Sequence, residues 1–146
     1  MSLGKWLDNG YLKKATPTKR DIEAKFSVAQ RDMDDAANTG ISDDTRYRLA
    51  YEAMLVVAQA MLLADGYRPA SQGSHYYSIE SLEYTMGESR KKIDLLHSFS
   101  KKRHICQYDQ EGIISPEEVN AMLKEAQRLF RMGIAVLSAK HPEYLQ

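Results

Sequence analysis

The chain has 146 residues, 43% of them hydrophobic and 27% charged, which suits one soluble domain with a real core. Twenty basic and twenty acidic side chains cancel, so no overall field draws it onto nucleic acid or an anionic membrane, and any such contact needs a local patch. The single cysteine, Cys106, excludes an internal disulfide and fits a reducing cytoplasm. No secretory leader opens the sequence.

Residues 1–16 carry no periodicity and read as an N-terminal arm pinned by Trp6 and Tyr11; residues 17–146 read as a single domain. A first helix is predicted from Thr16-Pro17-Thr18, with Ile22, Phe26, Ala29, Met33 and Ala36 on one face. Asn38-Thr39-Gly40 stops it. Ser42 caps a second helix whose first turn holds Asp43 and Asp44, suited to the positive end of the dipole. That helix runs to Asp65-Gly66 and is apolar nearly all round, the mark of a central core helix. Its longest apolar run, residues 53–64 broken only by Gln59, is shorter than the roughly 20 residues of a membrane span.

A polar loop over 66–74 leads to a short helix with His75, Ile79, Leu82 and Met86 on one face, stopped by Gly87. A helix over about 88–104 carries Leu95, Leu96, Phe99 and Arg103 along one side. Ser115-Pro116-Glu117-Glu118 is a capping box with proline in the first turn, opening the last helix. No alternating strand pattern competes. The expected fold is all-α: an up-down four-helix bundle with a short extra helix.

No phosphate loop, dinucleotide glycine pattern, zinc-protease motif or paired-cysteine motif is present. The four histidines, at 75, 97, 104 and 141, have no metal-ligand spacing, so neither a metal nor a cofactor is expected. His75 reads as a hydrogen-bonded core residue or one lining the end of the bundle; His97 and His141 read as surface residues.

From Glu88 to His104 six Lys and Arg (90, 91, 92, 101, 102, 103) face two acids, Glu88 and Asp94. Cations at a helix C-terminus satisfy its dipole, and that is the plain reading of Lys101 and Lys102. Arg103 continues an apolar stripe, which leaves it either snorkelling or held by a carboxylate or a partner chain, with Asp109 and Glu111 the nearest acids. Arg103 and Tyr108 lie about 140° apart on a straight helix, so one straight helix does not bring them onto one ligand, whereas two chains meeting across a two-fold axis could bring both chains' residues into one cleft.

Ala50-Tyr51-Glu52-Ala53, Gly66-Tyr67-Arg68, His75-Tyr76 and Lys102-Arg103-His104-Ile105-Cys106-Gln107-Tyr108-Asp109 follow one another in an order and spacing that resembles the HEPN superfamily. The likeness covers about residues 40–137. It implies a homodimer whose facing helices form a basic cleft. It also implies either a metal-independent endoribonuclease or a toxin–antitoxin partner of a nucleotidyltransferase or antitoxin protein. Arg103 would then contact an anion, with Lys101, Lys102, His75 and Asp109 around it and His104 and Tyr108 lining the cleft.

Two departures weigh against strong catalysis: Tyr108 stands where active members carry histidine, and His104 stands where asparagine is usual. Histidine, near 6.5, suits both proton transfers of RNA cleavage. Tyrosine, near 10, is a poor base. His104, about 40° from Tyr108, is the substitute base in the enzyme reading. A protein–protein adaptor without RNA is the third alternative, favoured by the neutral charge.

Overall fold

A computed structural model describes residues 2–106 and 112–145. Helix makes up 74% and strand 4% of it, so the protein is all-α. The short strands are an accessory to the helices. Tyr108, Asp109 and Glu111, named above, lie outside the described residues.

Helix α1 (Leu3–Asp8) starts where Ser2 Oγ accepts from Lys5 N. Strand β1 (Leu12–Lys14) follows it. Helix α2 (Lys19–Ala36) opens on a reciprocal capping box, Thr18 with Asp21, each bond 3.1 Å long. Ser42 caps α3 (Asp43–Ala64). Arg46, only 6% exposed, reaches back from α3 to the end of α2, its Nε donating to Ala36 O at 2.8 Å. That bond satisfies one of the carbonyls a helix end leaves open. Strand β2 (Tyr67–Pro69) pairs antiparallel with β1, with Lys13 opposite Arg68.

The short helix after the polar loop is in fact two, α4 (Ser74–Glu80) and α5 (Leu82–Met86). Ser78 Oγ donates to Ser74 O and Ser81 Oγ to Ser78 O, and such back-bonding competes with the helical ladder at the break. Gly87, at φ +67°, turns the chain so that Glu88 N returns to Leu82 O; that left-handed conformation favours glycine. Helix α6 (Arg90–His104) therefore begins two residues later than the sequence suggests, on the cap Ser89. Helix α7 (Pro116–Lys140) opens on the expected box of Ser115 and Glu118.

Helix α3 is the centre. It packs most extensively on α2 and α7 and also touches α4, α5, α6 and β2. Over its full length α3 is apolar enough to cross a membrane by composition, but 67% of its most apolar window is buried inside the protein, as a core helix requires. Between α2, α3 and α7, Gly133 allows close approach: a Cβ there would meet Met61 Sδ and Phe26 Cζ at 3.3 Å. A second small cluster holds the N-terminal segment, with Trp6, Leu12 and Leu62 buried together. The strand pair was not legible in sequence because three residues are too few to show alternation.

Candidate functional site

The site forms where α3, α4 and the end of α6 meet, and Tyr51 is its hub. Tyr51 is fully buried in the face α3 presents to α6. A tyrosine buried there must find partners for its hydroxyl. Its oxygen lies 3.0 Å from His75 Nδ1 at the start of α4, and it donates to Ser100 Oγ on α6, also at 3.0 Å. With Tyr51 donating to Ser100, the histidine tautomer that completes the chain carries its hydrogen on Nδ1, leaving the Nε2 lone pair for a proton. Four residues earlier, Tyr47 anchors α6 in the same way, donating to Phe99 O at 3.1 Å. Burial pushes the Tyr47 phenol far up, so it remains a donor.

Arg103 sits over the other side of this hub, its guanidinium carbon 5.4 Å from the Tyr51 ring centroid. Along α6 the inward face is Leu96, Phe99 and Arg103, whereas Leu95 points outward and is 37% exposed. Arg103 thus does end the apolar stripe. Among the described residues no carboxylate pairs with it, and its Nε is buried there without a hydrogen-bond partner. The ring face therefore holds the arginine by cation–π attraction, with no ion pair to it among the described residues. Arg103 also lines an open cleft of about 200 Å³ with Thr45, Arg48, Leu49 and Glu52.

Burial holds the His75 imidazole below its ordinary 6.5, and the positive charge of Arg103 acts in the same direction against the weaker opposing pull of Glu52. His75 is accordingly neutral at pH 7. Burial raises the Tyr51 phenol, with Ser100 and Arg103 opposing, so Tyr51 stays protonated.

Of the residues singled out in the sequence, the structure brings together Arg103 and His75 through Tyr51. His104 is exposed at the end of α6, and Lys101 is exposed beside it. Lys102 is tied to Glu118 at 3.2 Å. The basic segment is also less of a field than its count suggests. Arg90 is bonded to Glu80 and Asp94, and Lys92 to Glu125, which leaves Lys91, Lys101 and Arg103 without an ion pair among the described residues. His97 and His141 depart from the surface reading. Each is half-buried, His97 against Glu80 at 2.6 Å and His141 against Asp65 at 2.8 Å.

Tyr51, Ser100, Arg48 and Glu52 were not foreseen as site residues. The available signal was the pair Tyr47 and Tyr51, one turn apart on an otherwise apolar helix, whose hydroxyls had to be satisfied. Ser100 gave no signal of its own. Among the described residues no three His, Cys, Asp or Glu side chains gather as a metal would need. The chain matches no protein-family model and no curated protein.

Proposed function

We propose that the protein is a HEPN-like helical bundle that binds RNA as a homodimer, a module of the toxin–antitoxin type, with Arg103 as its principal phosphate contact. The observation that carries the reading is the Arg103 guanidinium, held on the Tyr51 ring at the edge of a cleft and without an ion-pair partner among the described residues, Glu52 lining the cleft but not bonded to it. A structural arginine at the end of an apolar stripe normally gains an acid, because an unpaired charge near the interior is costly. A phosphate oxygen supplies the missing partner and suits the planar guanidinium. Arg48 adds a second positive charge to the same cleft, which outweighs Glu52. The ordered motifs around Tyr51, His75 and Arg103 support the HEPN-like reading. A two-fold axis along α6 would double the cleft and its charge.

The second reading is metal-independent RNA cleavage, and His75 is what favours it. An imidazole that stays neutral at pH 7, close to a phosphate-binding arginine, is in the protonation state a general base needs, although burial and the Arg103 charge weaken it as a base. His104, exposed one residue beyond Arg103, is the alternative base.

The test is single-stranded RNA binding and integrity in EDTA, with light scattering on the same sample. Wild type is expected to bind as a dimer, and Arg103→Ala to lose about tenfold or more in affinity, the worth of one charge-assisted contact, with unchanged helicity. Equal affinity for both proteins contradicts the reading. Absence of RNA binding favours the adaptor reading. Cleavage abolished by His75→Ala but not by His104→Ala selects His75 as the base. A neighbouring gene for a nucleotidyltransferase or an antitoxin would supply the partner of the toxin–antitoxin reading.

A further inference from the structure

Away from the Arg103 cleft, the N-terminal segment builds a second surface that the helices do not require. In the β1–β2 ladder Lys13 stands directly opposite Arg68, so both side chains leave the same face. One hydrogen bond extends the pairing past the strand end, Ala70 N donating to Tyr11 O at 3.0 Å, which holds Tyr11 two residues from Lys13 at the edge of the ladder. Like charges opposite one another destabilise a strand pair. Lys13 and Arg68 are both exposed, and neither has a carboxylate partner among the described residues.

Tyr11 is 36% exposed and stacks on Tyr77, ring centroids 4.6 Å apart and planes 12° from parallel. Together they line a cleft of about 460 Å³ with Asn9 and Gln72, within the usual size of small-ligand sites. Gly73 makes room for this wall. It lies at φ +72°, and a Cβ there would come within 3.3 Å of the Tyr77 ring. Asn9 and Gln72 are exposed and bring amides that both donate and accept, as the edge of a base requires.

We propose that this face binds single-stranded nucleic acid, one base stacking on the outer face of Tyr11, which Tyr77 backs, and the adjoining phosphates resting on Lys13 and Arg68. Aromatic platforms beside a cationic track are how a strand is held without dependence on its sequence. The surface shares with the Arg103 reading only the kind of partner, and it stands or falls separately.

Trp6 makes the distinction measurable. It is the chain's single tryptophan, and it lies edge-on to Tyr77, 5.4 Å between centroids. Its emission therefore reports this surface. The full chain is titrated with an oligouridylate of roughly 12 nucleotides, near the length one such groove covers. Saturable quenching of Trp6 is expected. K13A/R68A, which alters two exposed side chains, should weaken the quenching about tenfold. It should also lower the slope of log affinity against log salt by about 1.4, two phosphates' worth for a single strand. Arg103→Ala should still show the quenching at saturation, so failure of one site is separable from failure of the other. Trp6 emission unchanged while RNA binds would overturn the proposal, as would wild-type binding by K13A/R68A. So would no RNA binding, or saturation by uridine monophosphate at the same concentrations as by the oligonucleotide.

Discussion

Tyr51 performs three tasks with one side chain: its ring carries Arg103, and its hydroxyl joins His75 to Ser100. Removing the hydroxyl alone separates these tasks. Tyr51→Phe keeps the aromatic face but leaves a half-buried histidine and serine without their shared partner, at a cost of about 1–2 kcal/mol, read as a lower melting temperature. RNA affinity should fall less than in Arg103→Ala, because the guanidinium keeps its support. At this scale the sequence was half legible. Arg103 and His75 could be picked out as a cation and an imidazole with unusual neighbours. Their connection runs through Tyr51, 24 positions before His75 and 52 before Arg103, a distance along the chain that no local pattern encodes.

Helix ends are where the elements were easiest to foresee, since capping is local chemistry. The box Ser115 with Glu118 fixes the start of α7, its two bonds 3.0 and 3.1 Å long. Ser115→Ala should cost about 1 kcal/mol in chemical denaturation, with little change elsewhere, as loss of one cap does. The elements that escaped are those decided by tertiary contact. Strand β1 exists because Leu12 is pulled into the cluster with Trp6 and Leu62. The division of α4 from α5 depends on which carbonyls Ser78 and Ser81 choose, and the apolar stripe through Ile79, Leu82 and Met86 runs across that break without marking it.

Across the whole molecule, the helices are joined by a buried ionic network as well as by the α3 core. Glu88, at the start of the turn into α6, and Glu125 on α7 are 7% and 6% exposed. Arg128 bonds both, and Lys92 reaches Glu125 from α6. Arg128→Ala would leave two carboxylates in the interior with Lys92 as their remaining cation. It should destabilise by about 3 kcal/mol, seen as a large fall in denaturation midpoint. Burial pushes the Glu125 carboxyl up, but the hydrogen bonds and charge of Arg128, then Lys92, outweigh it and hold it below its ordinary 4.5. A carboxyl lowered by folding contributes stability that is present above its unfolded value. Stability should therefore fall as pH drops below about 4.5 and through the lower folded value, and the fall should be shallower in Glu125→Gln. The all-α character was readable from helical periodicity alone. This network was not, because Glu88, Glu125 and Arg128 look like ordinary solvated charges until the helices are packed.

The most direct measurement is the nitrogen-15 resonance of the Arg103 Nε–H group, assigned by its absence in Arg103→Lys and followed as single-stranded RNA is added. A saturable shift of this signal is expected, because the guanidinium gains an anionic partner that none of the described residues supplies. A resonance that stays in place while RNA binds, or RNA that does not bind at all, would contradict it.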